Sequence, residues 1–161
     1  MSSTDILKLE SQFCFALYSA AHAVMRSYRP LLEPLGLTYP QYLVMLVMWE
    51  EGAQTVGGLA ERMQLDSSTL TPLLKRLEAL GFIVRRRNPD NERQLIVSLT
   101  ASGLALQEKA KAIPAAILCA SGKDLPGLLQ LRDELTGIRQ SFAAARAEEG
   151  GAAAPANIEV P

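Results

Sequence analysis

"DSSTLTPLLKRLEALGFIVRRRNPDNERQLIVSLT", residues 66–100, changes its hydrophobic period once, and that change decides the fold. Up to Leu80 the apolar residues Leu70, Leu73, Leu74, Leu77 and Leu80 recur at helical spacing. Asp66 or Ser67 stands where a cap is needed, and Gly81 where a helix stops. Beyond it, residues 82–86 and 94–99 are β-prone and flank the turn residues "NPDN". That pattern predicts a hairpin with a basic arm.

Upstream, "TVGGLAERMQL" predicts a short helix with Leu59, Ala60 and Met63 turned inward. "GLTYPQYLVMLVMWEEG" predicts another, with Thr38 as cap, Pro40 in the first turn and Gly52 as stop. Residues 5–32 predict one long helix, closed by Pro30 and Pro34. After Thr100, a cap, residues 101–113 are helical. Pro114 and Gly122 interrupt, and residues 125–146 form a last long helix. The order is helix, helix, short helix, helix, hairpin, helix, helix. The expected fold is mainly α with a small β element: a winged helix-turn-helix over residues 37–100. Residues 1–36 and 101–146 form a helical dimerisation region, and 147–161 a disordered tail.

The 161 residues suit one compact domain with an appendage, and 48% apolar residues suffice for a core. The longest apolar run, "YLVMLVMW", is far shorter than a membrane span, so no membrane partner is expected. "MSSTDILKLE" lacks the regions of a signal peptide. A soluble, cytoplasmic chain with reduced thiols is the expectation, and Cys14 and Cys119 are then no disulfide scaffold. One histidine, His22, and two distant cysteines give no metal-ligand spacing, and there is no phosphate loop. No metal, cofactor or enzymatic activity is expected, and His22 reads as an ordinary surface residue.

Net charge is −1, yet residues 67–99 carry six basic side chains against three acidic. On the helix that starts at Ser67, the face opposite the leucines shows Ser67, Ser68, Thr69, Thr71, Pro72, Lys75 and Arg76. Small hydroxyl residues at a helix start can approach bases and phosphates closely. Arg85, Arg86, Arg87 and Arg93 sit on the hairpin, placed to hold phosphates or enter a minor groove. Each feature alone is also an ordinary solvated surface. Together they point to double-stranded DNA. One copy would hold DNA weakly, so a homodimer on a palindromic operator follows, built on the long apolar helices at residues 5–32 and 125–146.

In the first helix, Cys14, Tyr18, Ala21, Met25 and Tyr28 fall on one side at 100° per residue. Phe13, Leu17, Ala20 and Val24 form a neighbouring stripe, and an apolar surface this broad suggests burial on two sides. The stripe sets Tyr18 and Tyr28 beside Cys14. On the residues alone, Cys14 also reads as a small buried hydrophobe and Tyr28 as a core aromatic.

"LGLTYPQYLVMLVMWE", "VGGLAERMQLDSSTLTPLLKRLEALGFIVRRRN" and "ERQLIVSLTASG" resemble the MarR superfamily of winged-helix transcription factors. Cys14 in "FCFALYSA", with Tyr28, Tyr39 and Cys119, resembles its organic hydroperoxide resistance regulators of the two-cysteine type. The resemblance covers about residues 7–146. It implies a dimeric repressor whose Cys14 is oxidised by an organic hydroperoxide and then forms a disulfide with Cys119 of the partner subunit, releasing DNA. It also implies that Tyr28 and Tyr39 hydrogen-bond the reactive sulfur; Tyr18 stands where some one-cysteine members have tyrosine. The chemistry is consistent, because phenol donors stabilise a thiolate without adding charge, and apolar neighbours suit organic peroxides. The wing departs from the family in one place: Asn91 stands where an Asp commonly pairs with the arginine at position 93. Two alternatives remain open: a MarR-type repressor released by a phenolic or other small ligand, and a thiol peroxidase. The peroxidase would need a base or arginine beside Cys14, which the sequence does not show.

Overall fold

The computed structural model describes residues 6–149. These fall into two compact units, residues 6–117 and residues 118–149. The first holds α1 (Phe13–Leu32), α2 (Tyr39–Glu51), β1 (Gln54–Thr55), α3 (Val56–Met63), α4 (Ser67–Ala79), β2 (Ile83–Asn88), β3 (Asn91–Leu99), α5 (Ala101–Ala110) and the start of α6 (Ile113–Ala120). The second holds the end of α6 and α7 (Leu125–Glu149). Mainly helical, with one small sheet, this is the expected winged helix-turn-helix class.

The helix-turn-helix forms where local chemistry dictates it. Gln41 reaches back to accept the Thr38 N–H at 2.8 Å, fixing the start of α2. Thr55 caps α3 by accepting from the Gly58 N–H at 3.0 Å. Leu59, Leu70, Leu74 and Leu77 pack with Met45, Met48, Ile83 and Val97 in the buried core. Removing one such leucine side chain costs about 2–5 kcal/mol. Gly81 ends α4 at φ +77°, and the Phe82 N–H closes onto the Leu77 carbonyl at 3.1 Å, turning the chain into the wing. The sheet order is β1-β3-β2, all antiparallel, with Arg85 opposite Val97 and Arg87 opposite Leu95. Trp49 on α2 donates its indole N–H to the Gly103 carbonyl at 2.9 Å, pinning α5 to α2. At Gly103 an added Cβ would stand 2.0 Å from the Phe82 carbonyl oxygen, so α5 approaches the start of the wing closer than any side chain allows.

Several boundaries differ from those expected. The first helix starts at Phe13, after a separate 3-10 turn at Leu9–Ser11. Gln12 is extended, and its side-chain amide takes the carbonyls of Ile6 and Lys8, which a continuous helix would have used. Pro30 does not close α1. It forfeits only the bond to the Arg26 carbonyl, and the helix runs on to Leu32, with the Glu33 N–H bonded to the Arg29 carbonyl. Leu80 is exposed rather than inward, because it lies past the last turn of α4. The wing strands extend to Asn88 and back to Asn91, so Pro89 and Asp90 alone make the turn. β1, two residues long, is a third strand that the pattern does not announce.

Residues 101–113 are not one helix. Pro114 cannot donate to the Ala110 carbonyl, so α5 stops there. Pro114 instead occupies the first turn of a new helix, α6, where it is tolerated. Residues 147–149 belong to α7, and the rest of the expected tail lies outside the described residues. In the second unit Asp124 caps α7 by accepting the Gly127 N–H at 3.0 Å. Leu125, Leu129, Leu131, Leu135 and Phe142 along α7 are exposed. Among the described residues, no single helix is long and apolar enough to cross a membrane.

Candidate nucleic-acid interface and thiol region

The start of α4 is organised by one carboxylate. Asp66 accepts the Thr69 N–H at 2.8 Å, the Thr69 hydroxyl at 3.0 Å and the Ser68 hydroxyl. Those bonds, the Ser68 hydroxyl foremost, lower its pKa to about 2, so it stays ionised at neutral pH. The Thr71 hydroxyl donates to the Ser67 carbonyl at 2.7 Å. Ser67, Ser68, Thr69, Pro72, Lys75 and Arg76 are exposed, and Thr71 is half-buried. Pro72, inside α4, has no N–H to offer the Ser68 carbonyl.

The wing arginines divide by role. Arg85 is largely buried and lies against α4: its guanidinium contacts Glu78 through Nε at 3.0 Å and Nη2 at 2.5 Å, and its backbone N–H donates to the same carboxylate at 3.0 Å. Arg85 foremost holds Glu78 below the usual carboxylate range. Sequence placed Arg85 with the DNA-facing arginines; the structure shows it joining the wing to α4. The cause is strand alternation, which turns Arg85 toward the same side as buried Ile83 and Val97. Arg87 donates to the Glu92 carbonyl at 3.1 Å. Among the described residues Lys75, Arg76, Arg86 and Arg93 have no ion-pair partner. Asn91 accepts from the backbone N–H of Arg93 at 3.2 Å, so it shapes the wing tip without holding the guanidinium. A cleft of about 300 Å³ between α3, α4 and β3 is lined by Thr55, Ser67, Thr71, Arg85 and Arg93.

Cys14 sits in the first turn of α1 and is exposed, which removes the reading of it as a buried hydrophobe within the chain. Phe13, Phe15, Leu17, Tyr18, Val24 and Met25 along the same helix are exposed too. Tyr18 stacks on His22, ring centroids 4.2 Å apart. Tyr28 is half-buried and packs on Tyr39 at 4.7 Å and Tyr42 at 5.9 Å. Burial raises the pKa of all three, keeping them phenols and therefore hydrogen-bond donors. Tyr42 was missed by the sequence reading, although its place three residues after Tyr39 on a helix is the signal. Beside them a cleft of about 420 Å³ is lined by Met25, Arg29, Leu32, Leu37 and Tyr39.

One expectation fails. Cys14 and Tyr28 share a side of α1 but are separated by fourteen residues, about 21 Å along the axis. They do not meet within one chain, because helical periodicity sets direction and not height. Cys119 is exposed and lies in the last turn of α6, not in the break that follows. Among the described residues no group of His, Cys, Asp and Glu could hold a metal.

The sequence pattern of the MarR family matches residues 37–95, which cover the helix-turn-helix and most of the wing. The organic hydroperoxide resistance transcriptional regulator of Bacillus subtilis is 46% identical over 131 residues, 81% of this chain and 89% of that protein. The chain belongs to the MarR family. Among solved MarR-like structures, reduced AbfR bound to DNA is 34% identical, with a TM-score of 0.72 over 88% of this chain and 99% of that one. AbfR is a protein of Staphylococcus epidermidis. Its disulfide-formed structure is 33% identical, with a TM-score of 0.59 over 89% of this chain and 96% of that one. This MarR-family chain is accordingly a transcriptional regulator close to the organic hydroperoxide resistance group.

Proposed function

We propose that this regulator is a homodimeric repressor that binds palindromic DNA and lets go when an organic hydroperoxide oxidises Cys14. The observation that carries the reading is the exposed Cys14 among the exposed apolar side chains of α1. A second copy packed antiparallel along α1 covers them. The midpoint between Cys14 and Tyr28 is Ala21, in the small-residue run "SAAHA", where two helices can approach closely. Such a crossing brings each Cys14 to the height of the partner's tyrosine cluster. The phenols then donate hydrogen bonds to the sulfur. The names of the two relatives support the same reading: hydroperoxide resistance for one, reduced and disulfide forms for the other.

The chemistry balances. The Cys14 thiolate attacks the outer peroxide oxygen; the O–O bond breaks, and the alkoxide leaves as an alcohol after taking a proton. The sulfur is oxidised to sulfenic acid and the peroxide reduced. The Cys119 thiolate then attacks that sulfur; the S–O bond breaks, and hydroxide leaves as water after taking a proton, giving a disulfide, which we assign between subunits. DNA contact falls to α4 with Lys75 and Arg76, and to Arg86 and Arg93 on the wing, with Arg87 at their side. Oxidation is stoichiometric and needs no turnover, unlike a thiol peroxidase. A reading as a ligand-released repressor draws on the cleft beside Arg29 and Tyr39.

A gel shift on the upstream DNA of the chain's own gene, with and without cumene hydroperoxide, tests the reading. Release on oxidation that Cys14→Ser abolishes supports it; release by a phenolic ligand alone, with no effect of peroxide, favours the other. On a non-reducing gel the oxidised wild type should run as a covalent dimer and Cys119→Ser should not. A Cys14–Cys119 link inside one chain overturns the intersubunit assignment.

A further inference from the structure

The cleft beside the tyrosine cluster has apolar walls in Met25, Leu32 and Leu37, and one cation, Arg29. Arg29 lies in the last turn of α1 and is exposed. Among the described residues it has no ion-pair partner. Glu33, one turn on, lines the same cleft and does not pair with it. Tyr39 belongs to the cleft wall, and Tyr28 packs on it at 4.7 Å. An unpaired guanidinium against apolar walls favours negative charge beside it, because little else there screens the attraction.

The antiparallel crossing at Ala21 gives this cation a position. Cys14 stands seven residues before Ala21, Tyr28 seven after and Arg29 eight after. Arg29 therefore reaches the height of the partner's Cys14 to within about 1.5 Å of helix rise. Direction agrees as well. At 100° per residue, Cys14 points between the two: Tyr28 lies about 40° to one side and Arg29 about 60° to the other. A two-fold axis through the crossing preserves those sides, so each sulfur meets a phenol on one flank and a guanidinium on the other.

Resting on the dimer proposed above, we infer that Arg29 of one subunit is a catalytic residue for oxidation of the other subunit's Cys14, holding the peroxide oxygen that leaves. The thiolate attacks the outer oxygen, and the electron pair of the O–O bond passes to the inner oxygen, which becomes an alkoxide. Arg29 donates a charge-assisted hydrogen bond to that oxygen as its charge develops. A guanidinium keeps its own protons, so water supplies the one that turns alkoxide into alcohol. Sulfur loses two electrons and the peroxide gains them. The nucleophile thus comes from one chain and the donor from the other.

The test follows loss of the Cys14 thiol in full-length chains that all carry Cys119→Ser, so that only the first step is read. Rates with cumene hydroperoxide are compared with rates of alkylation by iodoacetamide, which expels iodide and forms no alkoxide. Both are taken at a pH where the iodoacetamide rate has stopped rising. Arg29→Met should slow the peroxide reaction about ten-fold or more and leave alkylation within about two-fold. Arg29→Lys, which keeps the charge, should recover part of the loss. Mixed dimers then place the residue. With Cys14→Ser chains in excess over Arg29→Met chains, each remaining Cys14 faces an intact partner Arg29, and the wild-type rate should return. A mixed dimer that stays slow overturns the inference and leaves the sensing reading standing. Equal losses with both reagents, or a loss confined to hydroperoxides that carry a carboxylate, overturns the role at the leaving oxygen. Wild-type Cys14 that no hydroperoxide oxidises overturns the sensing reading, and this inference falls with it.

Discussion

The α4–wing surface and the α1 surface are opposites. The first is finished within one chain: its cap, the Ser68, Thr69 and Thr71 hydroxyls and its Glu78–Arg85 strut find partners inside the same sixty residues, over a leucine core with no solvent contact. The second is unfinished. Cys14 and the apolar side chains around it are exposed, and Tyr28, the member of the tyrosine cluster on the same helix, lies about 21 Å away along its axis. A complete surface can act as it stands; an incomplete one acts only when something is added. On the proposed function, each chain reads its own half-site and sensing belongs to the pair, and that division can be broken at either end.

The largest effect belongs to Cys14. Cys14→Ser should bind DNA within about two-fold of wild type and lose the peroxide response altogether, since serine keeps size and lacks the oxidisable atom. A mutant that still released DNA with the wild-type dose response would end the division. Next comes Ala21→Leu, which adds bulk at the expected crossing of two α1 helices. Overpacking there should cost about 1–3 kcal/mol of dimer stability, and sedimentation should show the dimer dissociating at higher concentration than wild type. The isolated chain should keep its melting profile, because Ala21 is exposed in it.

The wing arginines sharpen the other side. Arg76→Ala and Arg93→Ala should each weaken DNA binding by about 1–3 kcal/mol and flatten the salt dependence by about one unit. Arg85→Ala should weaken binding without changing that slope, because its charge is matched by Glu78 and not by phosphate. Equal slopes for all three would return Arg85 to the DNA. The smallest effect concerns acid. The Asp66 carboxyl is lowered to about 2 in the folded chain from 3.8, so its stabilising contribution is present above about pH 4 and fades as pH falls toward 2. Asp66→Asn should flatten the acid limb of stability measured by urea unfolding.

These differences trace what a sequence can carry. The caps at Asp66 and Thr100 and the stops at Gly52 and Gly81 were legible, because each depends on residues within four positions; the Thr55 cap follows the same rule and was passed over. The helix and wing of the DNA surface followed from one change of period. The Glu78–Arg85 strut was not legible: it joins a helix to a strand, and nothing in either period says that the two side chains face each other. The height error between Cys14 and Tyr28 has the same root, since a helical wheel discards distance along the axis. Pro114 was read as an end because a proline stops the helix before it; the same residue starts the next one.

The bond from Trp49 to the Gly103 oxygen turns a structural pin into a built-in optical probe. Trp49 is the lone tryptophan in 161 residues, so all indole emission comes from the joint between α2 and α5. A slide of α5 long enough to part that N–H from its oxygen would change the polarity at the ring, and with it the colour and lifetime of the fluorescence. Mixing the unlabelled protein with oxidant in a stopped-flow cell would therefore time any movement of this joint against the chemistry at sulfur.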